Sequence, residues 1–531
     1  MSLYYDAAAV LTATAQDGSL KSRIYGNKLG LKSKPAHIYA LISETAKYDQ
    51  FIKEVVDNAG LLGQEQKLTP ILSLLLVHDH FFSKSGVAAP SAHPLRQAIE
   101  RNKARLQAEF TKARLRRRCA TLDNLRRSLL AESPRAYRSQ PRWIRINTLK
   151  TSLEQELATT FKGYQSAATI TEVTNSFATD KVLAIDQHVP DLVALPPEAD
   201  VTKTQAYRDG KLILQDKASC FPACMLVGER GGNSDIRDCL DACAAPGNKT
   251  SHLAALLAKN GKTETKVFAC ERDPNRSKTL LSMMQKSGSD AVIVQPSCDF
   301  LSLNSHDAKY ENVTHLLLDP SCSGSGIVGR EDVPSLALPV DPRSEKAHPT
   351  PSPKASKKRK RDHHHEEAVN IANEVEETRD AVSDSARLLK LSNLQTKIVE
   401  HALSFPAAVR VTYSTCSIHV EENEAVVFRV LQSRTAKERS WRLLRREEQV
   451  RGMRQWGQRG LAVSEESASC RSALGEEERE ACIRCHPGDD EGTMGFFVCC
   501  FVRSPVGTKK STTGEAIDTR REEESWEGFS D

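Results

Sequence analysis

The sequence predicts an α/β protein whose core is a mostly parallel sheet covered by helices on both faces. Three observations predict it. From residue 206 onward, apolar runs alternate with helical stretches: "DIRDCLDACAAPG" leads into "NKTSHLAALLAKNG", and "KVFACERD" into "PNRSKTLLSMMQKSG". The runs are short, as strands buried on both faces are. The chain has 531 residues, enough for one large core and further domains.

Residues 1–135 read as helical. "HIYALISETAKYDQFIKEVVDNAGLL" and "LTPILSLLLVHDHFF" space their apolar residues by three and four. The next stretch, "RNKARLQAEFTKARLRRRCA", has a single acid, Glu109, and Arg114, Arg116, Arg117 and Arg118 crowd its end. Two readings stand for it: a solvated helix face, or a surface that binds a phosphate backbone.

Residues 136–205 read as a small α+β module. "PRWIRINTLK" suits a strand, "SLEQELATTF" a helix, and "DLVALPP" a short strand or loop. The sheet domain is expected over 206–505, continuing through "AVIVQPSCDF", "VTHLLLDPSCSGSG", "AVRVTYSTC" and "MGFFVCCFVR". An insertion at about 331–388, dominated by proline, serine and opposing charge blocks, is predicted to be disordered. Inside it Lys357, Lys358, Arg359, Lys360 and Arg361 form a basic run suited to nuclear import or nucleic-acid contact. Residues 506–531 read as a disordered tail.

Composition excludes several classes. Hydrophobic residues make up 39% and charged residues 27%, with a net charge of +5. No run approaches the roughly 20 apolar residues that span a bilayer, and no export signal is apparent. The chain is expected inside the cell and off the membrane, and about ten of its 14 cysteines are expected to be reduced, buried thiols. "CIRCH" at 482–486 matches a haem-attachment pattern that requires export, and no second ligand pair is spaced for zinc. No metal site is expected.

In a doubly wound sheet, ligands bind beyond the carboxyl ends of the strands. Asp241 to Lys249 follow the first strand, Glu271 ends the second, Asp299 follows the third and Asp319 ends the fourth. The first loop, "DACAAPGNKT", is not a phosphate loop, because Cys243 and Asn248 occupy the two positions where glycines are required. A carboxylate such as Glu271 accepts two hydrogen bonds and suits a ribose hydroxyl pair. A nucleoside-like ligand without pyrophosphate is therefore favoured, and S-adenosylmethionine is such a ligand. Cys322 and Cys416 fall at the same sheet edge, where a thiolate can serve as a nucleophile. Spacing alone does not rank one above the other.

"DACAAPGNKT", "LLLDPSCSGSG" and "YSTCSIHVEENEAVV" together resemble the Sun-domain (NOL1/NOP2/Sun) RNA cytosine-5 methyltransferases. The resemblance covers about residues 136–505 outside the insertion, and "CIRCHP" then aligns with a family R-x-x-P. Ser321, where the wider family usually has a second proline, and the N-terminal "LYYDAAAV" and "LKSRIYG" point to the nucleolar subgroup that methylates large-subunit ribosomal RNA. The resemblance implies a Rossmann-like class I S-adenosylmethionine-dependent methyltransferase sheet. By motif, Cys243, Ala244, Ala245, Pro246, Gly247, Asn248 and Lys249 would surround the cofactor, with Asn248 replacing the commoner glycine. Glu271 would hold the ribose, Asp299 would lie near the adenine, and Arg276 is a further candidate. Cys416 would be the nucleophile and Cys322 would assist release of the product. Asp319 would contact the cytosine ring near N3, where a protonated carboxyl would stabilise developing charge. Arg114, Arg116, Arg117 and Arg118 would bind RNA. The implied setting is the nucleus and nucleolus, on pre-ribosomal particles, as a monomer. Two alternatives remain: methylation of tRNA, and a scaffold that assembles ribosomes without catalysis.

Overall fold

The computed structural model describes residues 2–13, 20–26, 29–132, 140–197, 199–229, 236–327, 333–343, 385–462 and 474–503. The basic run at 357–361, most of the predicted insertion and the C-terminal tail lie outside the described residues.

The N-terminal helices gather around one long helix, Pro35–Ala59. Proline opens it, and Gly60 closes it in the left-handed region (φ 62°) that glycine adopts without strain. Its buried face, including Phe51, Ile52 and Val55, packs on Pro70–Phe82 and Lys103–Arg116. Phe51, Phe82 and Phe110 interlock there at centroid separations of 5.3 to 6.4 Å.

A five-stranded sheet follows, with strands β1 (Arg142–Ile146), β2 (Gln165–Ser166), β3 (Val182–Ile185), β4 (Leu192–Leu195) and β5 (Leu212–Leu214) in the order β2-β3-β4-β1-β5. β5 lies in the stretch that the sequence assigns to the next domain, yet it pairs antiparallel with β1. A three-residue apolar run shows no preference between two adjacent sheets, so its partner is decided by tertiary contact.

The second sheet contains β6 (Asp238–Asp241), β7 (Val267–Glu271), β8 (Val292–Pro296), β9 (Val313–Leu318), β10 (Arg410–Thr415), β11 (Arg442–Leu443), β12 (Ile483–Cys485) and β13 (Phe496–Val502). β6 to β10 run parallel in the order β10-β9-β6-β7-β8, and β13 adds antiparallel to β10. β9 is buried along its whole length, as a central parallel strand should be. From β6 the chain moves outward to β7 and β8, then returns to the other side for β9. The loops after β6 and β9 therefore flank the point where strand order reverses, the place such sheets bind ligands. "CIRCH" is the buried strand β12, lying against β13.

Two features tie these parts together. Lys217, fully buried, carries its ammonium between Asp186, His188 Nδ1 (3.1 Å) and Glu491 (2.6 Å), with the indoles of Trp143 and Trp456 at 5.4 and 5.3 Å. Asp186, His188 and Glu491 would also suit a cation, and the lysine sits at their focus. Residues 333–343, predicted to begin the disordered insertion, instead form an extended strap on the helical body. Val333 and Leu336 pack against its core, Ala337 N–H donates to Asp49 (2.7 Å), and Arg343 reaches the carbonyls of Gln66 and Leu68. The strap lacks periodicity, so its few apolar residues carry no signal in the sequence.

Candidate active site

β6 ends at Asp241, buried beneath the loop that follows. Its carboxylate accepts from Thr250 Oγ1 (2.7 Å) and Cys243 N–H (3.2 Å), and burial pushes its pKa up to about 7. Gly247 precedes the helix Asn248–Lys259 at φ 109°, where a Cβ would come within 2.8 Å of Met284. The loop spanning Cys243, Ala244, Ala245, Pro246 and Gly247, with a cis Ala245–Pro246 bond, is held at a carbonyl: Arg276 donates to Ala245 O at 2.6 Å. Arg276 also approaches the buried carboxylate of Glu271 at 3.5 Å, joining the first loop to the end of β7. Asp299 caps the turn Phe300–Ser302 by accepting from Leu301 N–H, and half of its side chain faces solvent. Asn248 donates to Leu214 O, while its Oδ1 is buried with no partner among the described residues.

Lys249, on the first turn of that helix, points to the end of β9. Its Nζ lies 2.8 Å from Asp319 Oδ2, and Ser414 Oγ donates to Asp319 Oδ1 at 2.8 Å. Burial works against the lysine charge, but Asp319 and the Cys416 sulfur outweigh it and raise its pKa. The sequence offers a protonated Asp319 as a hydrogen-bond donor. In the structure both of its oxygens are acceptors, one of them from an ammonium.

The two thiols meet. Cys322 and Cys416 are half-buried, with sulfurs 3.1 Å apart, beyond disulfide bonding distance. The hydrogen bond to Cys416, then burial, pushes the Cys322 thiol well above the usual range. Either sulfur can be the donor of the hydrogen bond between them. The Lys249 ammonium adds a favourable field at Cys416. Cys416, Lys249 and Asp319 line a cavity of about 500 Å³ together with Trp143 and Arg142 of the module and with Met494 and Phe496.

Several residues of this site escape sequence reasoning. Arg145 is buried in β1 and donates to Gln215 and Ser251 under the Asn248 turn, with burial pushing its pKa down to about 10. An arginine flanked by isoleucines in "RWIRI" is the one available signal. Ser414 lies inside the quoted "YSTCSIHVEENEAVV" without being distinguished by it, and Asp216 is a cavity carboxyl pushed up to about 6 by burial.

The four arginines of the N-terminal segment have different environments. Arg117 pairs with Glu54 at 2.8 Å and lies over the Phe51 ring, and Arg114 donates to Ala120 O. Arg116 also pairs with Glu54, but more than half of its side chain is exposed, and Arg118 is exposed.

Residues 36–125 match the family description "NOL1/NOP2/Sun domain family member 5, N-terminal domain", and residues 140–215 match that member's ferredoxin-like domain. Residues 232–337 match "16S rRNA methyltransferase RsmB/F". The chain is 36% identical over 499 residues to "25S rRNA (cytosine-C(5))-methyltransferase rcm1" of Schizosaccharomyces pombe, covering 94% of this chain and 90% of the relative. It is 32% identical over 527 residues to "28S rRNA (cytosine-C(5))-methyltransferase" of Mus musculus, covering 98% and 94%. It is also 32% identical over 489 residues to "25S rRNA (cytosine-C(5))-methyltransferase NSUN5" of Arabidopsis thaliana, covering 92% and 70%.

Proposed function

The chain belongs to the NOL1/NOP2/Sun methyltransferase family, in its member-5 branch, and we propose that it methylates C5 of a cytosine in large-subunit ribosomal RNA. The observation that carries this reading is the paired thiols, with Cys416 on the wall of the cavity that also presents Lys249 and Asp319.

Residues 243–249, Glu271 and Asp299 would hold S-adenosylmethionine, which would supply an electrophilic methyl group. The residues fit a nucleoside. The loop lacks a glycine-rich phosphate cradle, a buried carboxylate ends β7, and the unpartnered Asn248 Oδ1 offers an acceptor beside the loop. Arg276 braces the loop carbonyl while Glu271 accepts hydroxyl protons.

Cytosine C5 is a weak nucleophile. Addition of the Cys416 thiolate to C6 pushes electron density into C5. The Lys249–Asp319 pair faces the ring edge and stabilises charge that develops during addition. After methylation, the C5 proton passes to a base. Its electron pair forms the C5–C6 double bond, and the C6–S bond breaks to return the Cys416 thiolate. Cys322 lies beside Cys416, and as a thiolate, its own proton having first passed to solvent, it would accept that proton. The exposed arginines Arg116 and Arg118 contribute phosphate contacts, with Arg114 and Arg117 shaping the surface around them. The protein acts as a monomer in the nucleolus, on pre-ribosomal particles.

Bisulfite sequencing of large-subunit rRNA, from cells with and without the protein, tests this function. One protected cytosine should disappear without it and return with wild type but not with Cys416→Ala. Unchanged protection at every rRNA cytosine would sink the assignment.

A further inference from the structure

The segment that follows Cys416 grips both thiol loops with two adjacent side chains. Glu422 is fully buried in the turn Val420–Glu422. Its carboxylate accepts from Ser323 N–H (2.9 Å), from Ser323 Oγ (2.6 Å) and from Gln395 Nε2 (3.0 Å). The same Gln395 amide donates to Ser321 O at 3.0 Å. The residues on either side of Cys322 are therefore clasped, one directly and one through Gln395. No cation lies within ion-pair distance of Glu422 among the described residues, so these hydrogen bonds alone compensate its burial.

Asn423 serves the other thiol. Its Oδ1 accepts from Thr415 Oγ1 (2.6 Å), and its Nδ2 donates to Ser417 O (2.9 Å), the two neighbours of Cys416. One backbone bond, Gly326 N–H to Cys416 O at 3.0 Å, joins the two loops directly.

We propose that Glu422 and Asn423 are positioning residues with separate duties: Glu422 sets Cys322 for release of the product, and Asn423 sets Cys416 for attack. This inference rests on the thiol roles assigned above. A misplacement of about 1 Å costs on the order of 10²-fold in an aligned step. Loosening the Cys322 loop slows the proton transfer from C5 that lets the C6–S bond break, so the covalent protein–RNA adduct accumulates. Loosening the Cys416 loop slows formation of that bond, so adduct and product fall together.

The duties separate on a denaturing gel. Full-length protein is incubated with S-adenosylmethionine and large-subunit rRNA from cells lacking the protein, and adduct and methylated RNA are counted. Glu422→Gln puts an amide NH2 where donors already converge. It should accumulate adduct as Cys322→Ala does, while Asn423→Ala forms little of either species. Ser323→Ala removes the 2.6 Å bond to Glu422, with the weaker hydroxyl contacts to Ser325 (3.1 Å) and Ser417 (3.2 Å), keeps the Ser323 N–H bond to Glu422, and carries the test if Glu422→Gln does not fold. Accumulation with Cys322→Ala but with neither Glu422→Gln nor Ser323→Ala overturns the positioning role. Absence of adduct with Cys322→Ala overturns the thiol assignment beneath it. Parallel loss of adduct, product and cofactor affinity in all the clasp variants would show general disruption and likewise overturn the division of duties.

Discussion

The guanidinium of Arg484 meets the carboxylate of Glu424 through two hydrogen bonds of 2.7 and 2.5 Å, with neither side chain exposed. Glu424 directly follows the pair that clasps the thiol loops, and Arg484 also donates to Ile418 O at 2.9 Å. Removing one partner strands a buried charge, which costs about 3–5 kcal/mol. Arg484→Met should lower stability by that amount in denaturant unfolding, and Arg484→Met with Glu424→Gln should recover part of it. A single variant within 1 kcal/mol of wild type, a threshold of about the size of an ordinary surface pair, would contradict the pairing.

Lys249→Met should reduce kcat by roughly 10²–10³-fold, the range for losing one preorganised charge at a reacting centre. KM for RNA should change little, because the lysine reaches Asp319 and the field at Cys416 rather than phosphate. Steady-state kinetics decide it, and a change confined to KM would place Lys249 in binding instead.

Asp241 makes stability depend on pH. In the unfolded chain its carboxyl titrates near 3.9, whereas in the fold burial raises it to about 7. The folded state keeps a proton that the unfolded chain releases. The contribution is therefore complete below about pH 4 and lost as pH rises through 7, a change on the order of 4 kcal/mol. Asp241→Asn should gain on wild type across that window when thermal midpoints are compared. Parallel curves would mean that the carboxyl titrates normally.

Gly247→Ala places a Cβ at φ 109° within 2.8 to 3.1 Å of Met284, Met283 and Leu280. The methionine tips can yield, but the backbone cannot relax without moving the loop, at a cost of about 1–3 kcal/mol. Isothermal titration should show S-adenosylmethionine affinity falling by roughly tenfold or more. An unchanged affinity would remove the loop from the cofactor site.

Arg116→Glu with Arg118→Glu should weaken RNA binding and lower the salt slope by about one to two, close to one per lost phosphate contact. Arg117→Ala should cost stability instead, because that side chain is spent on Glu54 and Phe51. Filter binding at several salt concentrations, alongside melting curves, separates the two effects.

The sheet was legible because its strands are apolar runs that end in chemistry-bearing residues: Asp241, Glu271, Asp319 and Cys416 all sit where the pattern puts strand ends. The motifs also brought Cys322 and Cys416 to one edge. Their 3.1 Å approach needed coordinates, since residues 94 apart in sequence carry no mutual geometry. Arg145, Ser414 and Glu422 were hidden for a related reason. Each matters through a partner on another strand or loop, and single polar residues inside short strands or turns look the same whether or not such a partner exists. The strap at 333–343 was obscured because its apolar residues, Val333, Leu336, Ala337, Leu338 and Val340, are interrupted by Pro334, Pro339 and Pro342 and follow neither a helix nor a strand period.

The strap also sets an order of events during synthesis. The helical body emerges from the ribosome first, yet Val333 and Leu336, which complete its surface, emerge some two hundred residues after it. Until then, Asp49 and Asp57 lack the N–H donors that Ala337 and Val340 bring to them. The first-made part of this protein is thus finished by a later one, and the loop bearing Cys322 is translated just before the piece that closes it.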